Sequence, residues 1–408
     1  MGKSGTKNKK NSAKHKKSVL NGVGGVVFKP QMAEQTSELL EKATVLLQTG
    51  QAEAALPLAQ RVLEISAEDS PESLSSINLI GEIYVELGEI DAARQSFLRA
   101  VQIDPEGTTP EAQGGGAEKF LWLAQLSEQG GADSVGWYEK GVSALRNVIQ
   151  SLEQSAQPED ATIVEEKRKK LATALCGVVE LYMTDLSWEE DAEARCEALV
   201  TEALTVAPDS PDCLQTLASV RISQLRVDEA RTSLSRSLNI WKDLPPEDPK
   251  VPDFPSRISL SRLLMEVQME LEALQVLERL ILEDDESIEA WYLGGWCLYL
   301  MAEKEREQPT KIDPRSSAEG RRHDSMVASR EWLKQSLKLY VKMDYEDEKL
   351  KEHAVELIQE LNKELGEDDD DSESDAVIPG GEEDDIDEEI EVLSGEDDED
   401  EDHEMKDL

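Results

Sequence analysis

Between residues 74 and 107 the chain places large apolar, small and polar side chains in an order that repeats after 34 residues. With Leu74 as position one, large side chains fall at Ile77, Ile80, Tyr84 and Phe97, small ones at Gly81, Ala93 and Ala100, and a proline at Pro105. Spacings of three and four put each set on one helix face. Small residues let two antiparallel helices approach, large ones fill the space between them, and the proline stops the second helix. The pattern predicts a helical hairpin.

Weaker copies run along the chain. Residues 36–69 carry Leu39, Ala43, Leu46, Ala55, Ala59 and Val62, and 117–150 carry Phe120, Leu123 and Ala124, then a longer turn before Gly141, Leu145 and Val148. Leu175, Val178, Val179 and Tyr182 pair with Cys196, Val200, Ala203 and Pro208. Residues 211–244 supply Leu214, Leu217, Ala218, Ala230 and Leu234, and 254–287 supply Leu260, Ser261, Leu264, Ala273, Leu277 and Leu280. A seventh unit begins at Trp291 with Gly294 and Gly295, its partner helix displaced to about 326–343 by a polar insertion, 302–325. Over 345–365, Leu350, Ala354, Leu357, Ile358, Leu361 and Leu365 predict a helix buried on one side, the cap an open-ended stack needs. Gly114-Gly115-Gly116 is expected to loosen a loop, and five prolines within 245–255 to form an extended connector.

These positions resemble the tetratricopeptide (TPR) repeat. The resemblance implies an all-α, right-handed superhelix, an α-solenoid of about seven helix pairs with a C-terminal capping helix, over 30–366. It stands between a basic arm, 1–29, and an acidic tail, 367–408, both too poor in apolar residues to fold alone.

Charge narrows the function. The 408 residues hold 88 Asp and Glu against 43 Lys and Arg, a net −45. The arm has eight Lys and no acid, the tail 24 acids and one Lys, and the body between them 34 basic and 64 acidic residues. Such a surface repels phosphate, so direct nucleic-acid and anionic-membrane binding are excluded. For the same reason the short N-terminal match to a myristoylation signal, from Gly2 to Thr6, is set aside. No run approaches the roughly 18 apolar residues of a membrane span, and the lysine-rich start lacks the apolar run of a secretory signal. Cys176, Cys196, Cys213 and Cys297 sit apart in apolar helical contexts and are read as reduced core thiols, without disulfide or metal.

Catalytic patterns are missing: there is no phosphate loop, dinucleotide fingerprint, nucleophile elbow, HExxH or EF-hand spacing. The four histidines, His15, His323, His353 and His403, form no ligand set. The expectation is a protein that is not an enzyme and carries no cofactor or metal.

The first helix of each TPR repeat lines the concave side. The corresponding positions are Glu82, Glu86, Glu118, Trp122, Glu128, Glu180, Asp212, Glu266, Glu289, Tyr292, Trp296 and Tyr299, with almost no Lys or Arg among them apart from Arg262. Each acid taken singly reads as a solvated face and each aromatic as packing between repeats. As a set they predict an acidic, aromatic groove for an extended Lys/Arg-rich peptide. TPR domains that grip the carboxylate of heat-shock chaperones need Lys, Arg and Asn there, and this chain departs from them. The acidic tail is either a solubilising brush or a shield that keeps a basic client from RNA, and Ser372, Ser374 and Ser394 suit an acidophilic kinase. In the arm, Lys7, Lys9, Lys10, Lys14, Lys16 and Lys17 form a candidate nuclear localisation signal or a client-contacting arm.

Through AEKFLWLAQLSEQGG at 117–131, EAWYLGGWCLYL at 289–300, the lysine-rich start and the acidic end, the chain resembles the fungal dedicated assembly chaperones of ribosomal protein L-four of the large subunit. The resemblance implies a non-enzymatic monomer that captures the newly made ribosomal protein one-to-one. It would hold the client's basic internal loop, keep it soluble, and escort it from cytoplasm to nuclear pre-ribosomes, with an import receptor as a further partner. A TPR-type histone chaperone, or a scaffold subunit of a larger complex, remains the alternative.

Overall fold

The structure is a computed structural model that describes residues 29–155, 160–307 and 318–366. Among these it holds fifteen α-helices, a single 3-10 turn at Glu111–Gln113, and no strand. The helices pair as α1 (Lys29–Gln48) with α2 (Ala52–Ile65), α3 (Pro71–Glu86) with α4 (Ile90–Ile103), α5 (Glu118–Gln125) with α6 (Gly131–Ser155), and α7 (Ala161–Met183) with α8 (Ala192–Val206). There follow α9 (Pro211–Ser223) with α10 (Val227–Trp241), α11 (Phe254–Glu266) with α12 (Glu270–Glu283), α13 (Ile288–Glu307) with α14 (Ala318–Met343), and α15 (Glu348–Leu365) as the cap. The arm and the tail lie outside the described residues.

The predicted pairing of small and large positions is met in contact. A Cβ added at Gly81 would stand 2.7 Å from the fully buried ring of Phe97. At Gly294 it would stand 2.0 Å from the Trp332 indole. Helix starts follow local chemistry. Ser70, Ser210 and Asp253 each accept a hydrogen bond from the amide three residues on, and each precedes a proline in the first turn, where no amide partner is needed.

Odd-numbered helices touch one another along the stack, α1 with α3, α7 with α9, and α9 through α11 and α13 to α15. No pair of successive even-numbered helices packs as closely, so the odd helices occupy the inside of the bend and line the groove. The inner row is interrupted at α3, α5 and α7, where the segment after α4 inserts and its 3-10 turn touches α3.

Four expectations need correction. The glycine triplet does not loosen its loop. Cβ atoms at Gly114 and Gly115 would fall 2.4 Å and 2.1 Å from Ser75 and Thr109, and Asn78 Nδ2 donates to the Gly114 carbonyl at 2.6 Å, so glycine here permits close contact. The proline-rich stretch is not extended but winds into turns, with Asp248 N donating to Pro245 O and Val251 N to Asp248 O. The partner helix α6 follows α5 after a short turn, starting at Gly131. Finally, the polar insertion is shorter than 302–325. Helix α13 runs on to Glu307 and α14 begins at Ala318, because Arg321 pairs with Glu305 at 2.5 Å and Arg322 with Glu364 across the polar ends.

Candidate functional site: the concave groove

The groove acids fall into two groups. Glu82 on α3, Glu180 on α7 and Asp212 on α9 make no ion pair among the described residues. Glu180 and Asp212 are reached by solvent, yet the concavity surrounds them with protein. Burial pushes the Glu180 carboxyl above its ordinary value. Burial also raises Asp212, helped by Asp253, and it raises Glu82, where Glu118 adds to the effect and Lys170 opposes it. Among the described residues no ion pair offsets the cost of this burial, and only Glu82 has a cation, Lys170, acting on it from a distance. Glu86, at the end of α3, and Glu266, at the end of α11, are exposed.

The second group is already engaged. Glu118 pairs with Lys170, and Glu289 with Arg262 at 3.0 Å. Glu128 is a correction: α5 ends at Gln125, three residues too early, and Glu128 turns outward to pair with Arg94 of α4. The reading of a groove nearly free of cations is also too simple. Helix α7 starts at Ala161, well before the repeat pattern shows, and its first turns bring Lys169 and Lys170 beside Glu118 and Trp122 around a cavity of about 310 Å³. Burial works against the Lys170 charge, but Glu118, Glu111 and Glu166 hold its ammonium above the usual range.

The aromatics divide in the same way. Trp122 is half-buried and stacks on Phe97 at 6.0 Å while one face lines that cavity. Tyr292, Trp296 and Tyr299 do share one face of α13, but the cap helix covers much of it. The Tyr292 hydroxyl and His353 Nδ1 are 2.7 Å apart, and Trp296 meets the His353 ring edge-on at 5.0 Å. Tyr299 donates to Glu360 at 2.5 Å, and that bond pushes its phenol up to about 12. Tyr299 is thus a capping contact. Tyr292 and Trp296 keep an open side, with Arg262, Glu266, Asp347 and Lys349, on a cleft of about 550 Å³.

Tyr138, from α6, escaped the reading of first helices. It reaches the groove because Gly177 leaves room, a Cβ there falling 2.7 Å from its hydroxyl, and it lines a cavity of about 560 Å³ with Gln125, Glu180 and Asp185. Lys7, Lys9, Lys10, Lys14, Lys16 and Lys17 lie outside the described residues. Among the described residues no grouping of three His, Cys, Asp or Glu could hold a metal, and no helix is long and apolar enough to cross a membrane.

Residues 35–106 match the tetratricopeptide repeat family. A probable assembly chaperone of rpl4 from Emericella nidulans is 60% identical over 375 residues, covering 91% of this chain and 93% of its own. The chain belongs to that family. Within the rpl4 assembly-chaperone family, a probable member from Schizosaccharomyces pombe is 35% identical over 333 residues, covering 81% of this chain and 92% of its own. A solved structure of an assembly chaperone of RpL4, Acl4, is 54% identical, with a TM-score of 0.63 over 67% of this chain and 99% of that one. This rpl4 assembly-chaperone chain therefore shares its repeat architecture with a solved relative, and the carboxylates of α3, α7 and α9 lie on the inner row of that architecture.

Proposed function

We propose that the protein is a dedicated, non-catalytic assembly chaperone that holds newly made rpl4 by a long basic segment lying in the concave groove. A ribosomal protein needs such a partner because its basic extensions are ordered only by rRNA and beforehand adhere to any polyanion. The observation that carries this reading is the row of inner-helix carboxylates, Glu82, Glu180 and Asp212, none of which forms an ion pair among the described residues. Lys or Arg side chains entering the groove supply the missing countercharge, and the crowded surroundings strengthen each pair relative to open water. Tyr138, Trp122, Tyr292 and Trp296 offer faces for the apolar stems and cationic heads of the same side chains. The client is bound one-to-one by a monomer and escorted from cytoplasm to nucleus, with an import receptor reading the lysines of the arm.

Replacing Glu180 and Asp212 together by Gln and Asn keeps shape and removes charge. Affinity for the client's basic segment should fall about tenfold or more, while the melting temperature holds or rises, because the ionised groups were unfavourably placed. Unchanged affinity would mean that the segment does not lie along this row.

A further inference from the structure

Four turns that join the helices of a pair share one backbone motif. The residue two before the second helix has positive φ, +72° at Gly50, +74° at Gly88, +58° at Leu225 and +64° at Gln268. In each, that residue's amide bonds back three residues and the next amide five, as Leu225 N does to Ile222 O and Arg226 N to Arg221 O. This is the helix ending that glycine favours, since a Cβ is strained in the left-handed region. Leucine at 225 opposes that preference, and it does so with 87% of its surface exposed. Neither packing nor backbone geometry explains it.

Its neighbours along the same edge are equally unaccounted for. Trp188, in the turn of the preceding pair, is 65% exposed, and Leu271, at the start of α12 in the next, is 57% exposed. The turns are tied side by side: Gln224 Nε2 donates to Glu193 at 3.1 Å, and Arg231 Nε to the Val267 carbonyl at 2.8 Å. Three large apolar side chains exposed at the turns of successive, hydrogen-bonded repeats point to a contact surface.

Charge identifies the occupant. Between Asp185 and Glu193 there are five acids and no cation. The arginines nearest Leu225 are spoken for, Arg221 by Glu197 and Arg226 by Glu229. The edge therefore offers apolar anchors in a negative surround to a basic surface.

We propose that this turn edge, anchored by Trp188, Leu225 and Leu271, is a second docking surface that takes the folded, basic body of the same ribosomal client, outside the segment held in the groove. The proposal rests on the client reading above. Two linked contacts raise the lifetime of the complex beyond what either surface supports alone.

The test compares two probes, the whole client and a synthetic peptide of its basic segment, against the full chain carrying Leu225→Gly, Trp188→Ala, or both. Leu225→Gly relieves the strained backbone, so it should shift the melting temperature up by about 1–3 °C. The double variant should bind the peptide within about twofold of the parent but the whole client about tenfold more weakly. Leu225→Gly alone should also bind the whole client more weakly, and that loss, together with its gain in stability, cannot come from a damaged fold. Unchanged affinity for the whole client overturns the proposal, as does equal weakening for peptide and client, which would trace the effect to the groove. If the parent protein self-associates and the variants do not, the edge contacts a second copy and the proposal is again overturned. A parent protein that ignores both probes defeats the functional reading, and this proposal with it.

Discussion

Asp104 and Lys119 form an ion pair at 2.8 Å with side chains 3% and 1% exposed. The aspartate also accepts from the amides of Thr108 and Thr109, and the lysine donates to the Gly116 carbonyl at 2.7 Å, so the pair closes the segment that enters the inner helix row. Burial pushes the Asp104 carboxyl up, but its bonds from Lys119 and Thr109 outweigh this and hold it below the ordinary range. Stability from Asp104 is therefore present above the ordinary aspartate pKa and is lost as pH falls through its depressed one. Asp104→Asn strands a buried ammonium and should destabilise the fold by about 3 kcal/mol or more, measured by urea unfolding. Gly294→Ala should cost about 1–3 kcal/mol by driving a methyl group into Trp332, with Trp fluorescence reporting the displaced ring.

Among the helices, α15 does more than end the stack. Its buried Ala354, Leu357 and Leu361 cover the Tyr292, Trp296 and Tyr299 face and Leu333 of α14, completing the last inner surface. Truncation before residue 345 should expose that face, seen as a red-shifted Trp emission, dye binding and concentration-dependent aggregation. Tyr299→Phe, which removes only the bond to Glu360, should lower stability by no more than about 1 kcal/mol. The contrast separates apolar covering from the single polar latch.

Across the whole molecule, the raised carboxyls of the groove should couple client capture to pH if the client lies along them. Glu82, Glu180 and Asp212 each hold a proton more strongly than the same group in open water, and client cations beside them would favour their ionised forms. Affinity should therefore weaken as pH falls, starting before the bulk of surface acids titrate, and the Glu180→Gln, Asp212→Asn variant should flatten that dependence. Titration calorimetry between pH 5 and 8 reads both effects. The tail's 24 acids are a separate layer of charge, acting over a Debye length of about 8 Å and offering no shape for discrimination. Deleting 367–408 should leave a one-to-one client complex at moderate salt that added RNA dissociates more easily. A truncated chain that loses the client without RNA would move the binding site to the tail.

The repeat pattern alone determined the fold class, the seven pairs and the cap, because each pair must bury the same small and large faces against its neighbours, and that demand is local in sequence. Gly81 against Phe97 is legible for this reason. Placement on an inner helix was legible for Glu82, Glu180 and Asp212, which fall on α3, α7 and α9. It failed for Glu128, where α5 stops at Gln125, and for Tyr299, whose partner Glu360 is 61 residues away. The same holds for Tyr138, for Lys169 and Lys170 beside Glu118, and for the sulfurs of Cys176 and Cys213, 3.6 Å apart across two repeats. Periodicity reports which face of a helix is buried. Which distant charge, ring or thiol meets that face is decided only when the helices stack, since such contacts depend on helix ends and inter-repeat angles that no local period encodes.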